Sequence, residues 1–79
     1  MATRIHINGL PAFCTDAELR QTFSPFGTVV LAQVLRDPYG HSLGVGVVHM
    51  ACPEEVENVF NAQQRFEVAG ERVSIWEPL

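Results

Sequence analysis

The chain contains no lysine, one tryptophan, one tyrosine and two cysteines among its 79 residues. The missing lysine leaves five arginines against nine acidic side chains, a net charge of −4. Phosphate neutralisation supplies most non-specific nucleic-acid affinity, so a polyanion should be mildly repelled by the domain as a whole unless arginines cluster locally. No apolar run approaches the roughly 18 to 20 residues of a membrane span, and the reading is no membrane. Met1-Ala2-Thr3-Arg4 leads straight into a strand pattern rather than a signal peptide. Cys14 and Cys52 lack any close spacing and read as small buried residues of an intracellular protein in a reducing compartment. Whether that compartment is cytoplasmic or nuclear stays open. Gly-x-Ser-x-Gly, His-Glu-x-x-His, Cys-x-x-Cys and a phosphate-binding glycine loop are all missing. The expectation is therefore no enzyme and no cofactor.

What is present is a 47% apolar fraction, enough for one small domain spanning 1–79. Met1 favours a whole small protein. Arg4 to Leu10 alternates, with Ile5 and Ile7 on one face and His6 and Asn8 on the other, as in a half-buried strand. Thr15-Asp16-Ala17-Glu18 is a capping box, with Cys14 and Leu19 at the hydrophobic-staple positions. Leu19, Phe23 and Phe26 make a helical apolar stripe, which Ser24-Pro25-Phe26-Gly27 ends. Thr28 to Leu35 reads as a second strand, Arg36 to Gly40 as a turn and Leu43 to Met50 as a third strand, an antiparallel hairpin. Cys52-Pro53-Glu54-Glu55 starts a second helix with a Val56, Val59 and Phe60 buried stripe, ending over Asn61 to Gln64. Phe66 to Gly70 is a connector with room for a short hairpin. Glu71 to Trp76 alternates again, and Pro78 closes the strand.

The order β-α-β-β-α-β predicts an α+β, ferredoxin-like sandwich: a four-stranded antiparallel sheet with two helices on one face and the other face open. That order alone does not decide function. Two stretches do more. Ile5-His6-Ile7-Asn8-Gly9-Leu10 and Leu43-Gly44-Val45-Gly46-Val47-Val48-His49-Met50 resemble the first- and third-strand motifs of the RNA recognition motif family. Leu19, Phe23, Phe26-Gly27, Arg36-Asp37, Phe60-Asn61-Ala62 and Gly70-Glu71-Arg72-Val73 also fall in family-like places, so the resemblance covers essentially the whole chain.

The resemblance implies single-stranded RNA binding on the open sheet face. It puts His6 where the first strand carries a stacking aromatic, Val45 and Val47 where the third strand carries two, and Leu43 where a basic residue opens the motif. Gly44, Gly46, Val48 and Met50 keep the inward pattern. A stacked base contributes about 1–3 kcal/mol, so two missing rings weaken binding by roughly 2–6 kcal/mol if nothing replaces them. The expected RNA-contacting residues are His6, Asn8, Arg36, Tyr39, His41, Val45, Val47, His49, Arg72 and Trp76. Trp76 beside His6 makes a shifted stacking platform, and Tyr39 and His41 lie in the hairpin loop. Gln33, Leu35 and Ser74 share the outward set, and Arg4 is a further phosphate candidate.

Plainer readings stand beside these. Trp76 caps the sheet or holds the C-terminal tail, His6 is a polar residue on a half-exposed face, Tyr39 is a turn residue, and Val45 and Val47 are ordinary strand formers. Val45, Val47, Leu35 and Trp76 exposed together would form an apolar patch. That motivates the alternative function, a protein–protein interaction or self-association module with little RNA affinity. Some members of the family bind peptides through an Arg-x-Phe motif before the last strand, a spacing from which Arg65-Phe66 departs. His6 and His49 can face the same side, but no cysteine or carboxylate joins them at a metal-ligating spacing.

Overall fold

The computed structural model describes residues 3–62 and 64–77. Gln63, within the expected end of the second helix, and Pro78, the expected close of the last strand, lie outside the described residues. The elements are β1 (Arg4–Asn8), α1 (Asp16–Phe23), a 3-10 turn (Ser24–Phe26), β2 (Val29–Arg36), β3 (Ser42–Met50), α2 (Pro53–Asn61), β4 (Phe66–Val68) and β5 (Glu71–Trp76). They form one antiparallel sheet of order β2-β3-β1-β5-β4. The sandwich is thus ferredoxin-like, but its sheet has five strands where the sequence pattern led us to expect four.

The extra strand is the connector. Phe66 and Val68 turn inward and are buried, and Ala69 and Gly70 close a two-residue hairpin with φ of +52° and +83°. Positive φ at both central residues is the turn that matches strand twist. Phe66 explains why so short a strand forms: its ring stacks on Phe23 at 5.4 Å and tilts against Phe26 at 5.5 Å. β4 is thereby tied to the end of α1, where the Thr22 hydroxyl also donates to the Glu67 carbonyl.

The capping box forms as expected. Thr15 Oγ1 accepts from the Glu18 N–H, and the Glu18 carboxylate accepts from the Thr15 N–H. Beside it, Cys14 and Leu19 are both buried. Two other side chains of α1 cover the outer edge of β2. Asp16 Oδ1 accepts from the Val34 N–H at 2.8 Å, and the Arg20 guanidinium donates to the Val29 carbonyl at 2.7 Å. An open strand edge is a template for unwanted pairing; here α1 occupies two of its backbone groups. Where β2 begins, the Glu55 carboxylate of α2 accepts from the Thr28 N–H, and it lies where a side chain on Gly27 would have to go.

Ile5, Ile7, Val48 and Met50 point inward from β1 and β3 to meet Leu19 and Phe23 of α1 and Val56 and Val59 of α2 in one buried cluster. Phe60 departs from the expected buried stripe. It is 36% exposed, beside Phe66 of β4 and Val73 and Ile75 of β5. Gly46 lets the loop and helix approach the sheet: a Cβ there would stand 2.9 Å from Leu10 Cδ1 and 3.0 Å from Leu19 Cδ2. Gly44 is half-buried rather than packed inward. It adopts φ +77° where β3 bulges against β2, and its carbonyl accepts the N–H groups of Gly9 and Leu10.

Forcing a side chain into the Gly46 contact is expected to destabilise the domain by about 1–3 kcal/mol, the usual cost of overpacking. Urea unfolding of Gly46→Ala measures this, and an unchanged midpoint would mean that the helix does not press on the sheet there.

Candidate nucleic-acid interface

Strand alternation decides which side chains meet on the open face. On β1, buried Ile5 and Ile7 force Arg4, His6 and Asn8 outward. The register then sets Arg4 against His49, His6 against Val47 and Asn8 against Val45 on β3. On the other side of β1, His6 pairs with Trp76 and Asn8 with Ser74 of β5. β2 adds Leu31 beside His49 and Gln33 beside Val47. His6, Asn8, Val45, Val47, His49 and Trp76 therefore form one contiguous field.

The centre of that field lies at the seam of β1 and β5. The His6 and Trp76 rings are 5.5 Å apart and cross at 73°, an edge-to-face pair that gives each ring a fixed neighbour. Trp76 remains 42% exposed, with Leu31 40% exposed across the sheet. Arg72 is exposed toward the far corner, opposite Glu67 of β4.

The loop residues separate into two groups. Tyr39 is almost wholly exposed and His41 is exposed too. Both are held by Asp37, whose Oδ1 accepts the backbone N–H groups of Tyr39 and His41 at 2.9 Å and whose Oδ2 lies 3.4 Å from His41 Nδ1. They extend from the end of the β2–β3 hairpin rather than lying among the sheet residues. Arg36 does not join either group. Its guanidinium donates to the Cys14 and Gly40 carbonyls, so it braces the hairpin against the loop before α1. The register shift between Val34 and Arg36 is what redirects it.

Charge is distributed unevenly. β1, β2 and β3 contain no aspartate or glutamate, while α1 carries Asp16 and Glu18 and α2 carries Glu54, Glu55 and Glu57. The net negative charge thus belongs largely to the helical side, and the central strands present Arg4, His6 and His49. Net charge read from composition misses this, because it carries no information about side. Neither cysteine belongs to the face: Cys14 is buried, and burial followed by the Glu18 carboxylate pushes its thiol above the ordinary cysteine range, which suits packing rather than nucleophilic chemistry.

Removing the Arg36 brace should cost about 0.5–1.5 kcal/mol of stability, the net value of an ordinary hydrogen bond. Chemical denaturation of Arg36→Ala tests this. An unaltered stability would mean that the guanidinium is not committed to Cys14 and Gly40.

The chain is similar to known proteins in sequence and in fold. The chain's residues 5–74 match the sequence profile described as the RNA recognition motif. It is 35% identical over 66 residues to a cytoplasmic and nuclear polyadenylate-binding protein of Eremothecium gossypii, covering 84% of this chain and 11% of that one. It is 40% identical over 57 residues to the RNA-binding motif, single-stranded-interacting protein 1 of Rattus norvegicus, covering 72% of this chain and 14% of that one. The chain thus spans only a small part of these curated relatives. Among solved structures, the RNA-binding protein PG1 superposes with a TM-score of 0.85 at 23% identity, covering 99% of this chain and 95% of that one. The SXL-lethal protein in complex with RNA superposes with a TM-score of 0.82 at 26% identity, covering 96% of this chain and 47% of that one. Sequence profile, relatives and architecture converge: the chain belongs to the RNA recognition motif family, a family of RNA-binding modules.

Proposed function

We propose that this chain is a single binding domain over residues 1–79, without enzymatic activity, that holds single-stranded RNA weakly and off-centre on its open sheet. The observation that carries the reading is the His6–Trp76 ring pair at the seam of β1 and β5. It supplies aromatic surface one strand away from Val45 and Val47, the third-strand positions at which the family carries rings. A base stacked on Trp76 would be flanked by His6, with Asn8 and Ser74 one register step away for hydrogen bonding to base edges. Arg4 and Arg72 supply positive charge to the phosphates, and a protonated histidine can add to it. Tyr39 and His41 extend the contact from the hairpin. An intracellular, reducing setting suits the two free thiols and fits a relative named as cytoplasmic and nuclear.

Val45 and Val47 offer apolar contact but no π face, so the affinity should fall below that of a domain with rings at both positions. Oligo(A) is the first probe, since several relatives are named as polyadenylate-binding, with oligo(U) beside it. Fluorescence anisotropy at low salt should show that Trp76→Ala weakens binding by about 1–3 kcal/mol and that Val47→Phe strengthens it by a similar amount. Trp76→Ala binding as tightly as the parent chain would rule out the displaced platform.

A second reading rests on the same apolar exposure. Leu31, Leu35 and Trp76 are each about two-fifths exposed and share the sheet with half-buried Val45 and Val47. That surface would also serve a protein partner or a second copy. Light scattering across a concentration series separates the two readings: a face built for self-association gives a dimer that added RNA dissociates, whereas a face built for RNA leaves the free chain monomeric.

A further inference from the structure

The helical side carries a groove that the RNA reading touches only through Arg72. β4 pairs only with Glu71–Val73, so beyond Val73 the outer edge of β5 has no strand beside it. The space where a longer β4 would run is a groove of about 300 Å³. Its floor is Val73 and Ile75, one wall is Val59 and Phe60 from α2, and the other is Phe66. Arg65 and Arg72 are the charged residues of the lining. Among the described residues, neither guanidinium has an ion-pair partner, although nine acidic side chains are available in the chain.

We propose that this groove is a docking site for an acidic peptide segment of a protein partner, one that carries a bulky apolar anchor residue. Three observations support it. The groove has the size and lining of a seat for one aromatic or branched aliphatic side chain, and Phe60 stands at its rim 36% exposed. The open edge of β5 offers backbone hydrogen bonds to an extended segment laid along it. Arg65 and Arg72, two of only five cations in the chain, would pair with carboxylates on either side of the anchor. RNA is the poorer occupant. The floor is aliphatic, and α2 brings Glu54, Glu55 and Glu57 to the same side of the molecule, which repel an extended phosphate chain. An acidic segment needs only one or two carboxylates near the arginines, beyond the C-terminal end of α2, whereas Glu54 and Glu55 lie in its first turn and Glu57 at its middle.

The site differs from the Arg-x-Phe arrangement, because Arg65 and Phe66 are adjacent and the groove is floored by Val73 and Ile75 of β5. It shares only Arg72 with the RNA reading, and its tests fall on Arg65 and Phe60, which that reading does not use, so either can fail alone.

The test follows the backbone amides of the full chain by two-dimensional NMR while an acetylated Asp-Glu-Trp-Glu-Asp peptide is added. The expected result is saturable shifts at Phe60, Phe66, Val73 and Ile75, leaving Asn8, Val45 and Val47 unmoved. Replacing the peptide's tryptophan by alanine should weaken binding at least tenfold. Two variants of exposed residues, Arg65→Glu and Phe60→Asp, should each do the same while retaining the parent spectrum elsewhere and the parent oligo(A) affinity. The proposal is overturned if the peptide moves none of the groove amides at millimolar concentration, or if lysine in place of its acidic residues leaves the affinity unchanged. It is equally overturned if oligo(A), rather than the peptide, shifts the groove.

Discussion

Leu10 and Leu19 reach the sheet at the point where Gly46 has no side chain, and much of the domain depends on that approach. It brings α1 down onto β1 and β3, so that Ile5, Ile7, Val48 and Met50 become wholly or almost wholly buried. Burial of one side of a strand dictates the other, because successive side chains point to opposite faces. Once Ile5, Ile7 and Val48 are inside, His6, Asn8 and Val47 must be outside. Packing and the proposed RNA contacts thus fall on interleaved residues of the same two strands. A change at Val47 alters the open face with little consequence for the core, whereas a change at Val48 does the reverse.

The same separation of sides resolves an apparent conflict over charge. A net charge of −4 is a poor advertisement for RNA binding, but the acidic residues cluster on the helices, with others near β4 and β5. Coulomb attraction and repulsion are screened within about 8–10 Å at ordinary salt. The sign of charge on the face a ligand approaches therefore matters more than the sum over the chain. The central strands carry arginine and histidine with no carboxylate among them.

Much of this was legible in the amino-acid sequence. The alternation of Ile5-His6-Ile7-Asn8, the Thr15–Glu18 capping box and the placing of Trp76 beside His6 rest on short-range periodicity and strand order, and the structure reproduces each. Three features rest on contacts that periodicity does not carry. β4 is three residues long, too short to show alternation, and closes on Ala-Gly where Asn-Gly would have signalled a hairpin. It forms because Phe66 finds the Phe23 and Phe26 rings, 43 and 40 positions earlier by subtraction of their numbers. Arg36 reads as a phosphate ligand in one dimension, but a register shift turns it toward the Cys14 carbonyl. Phe60 matches a buried helical stripe, yet it stays 36% exposed while Val56 and Val59 of the same stripe are buried.

The proposed RNA site puts base stacking at the seam of β1 and β5 rather than over β3. Intermolecular nuclear Overhauser effects between oligo(A) and the isotope-labelled chain report this directly. Stacking at the seam gives contacts from adenine H2 and H8 to the Trp76 and His6 ring protons, stronger than any to the Val45 and Val47 methyl groups. A set of contacts centred on Val45 and Val47, with Trp76 silent, would contradict it.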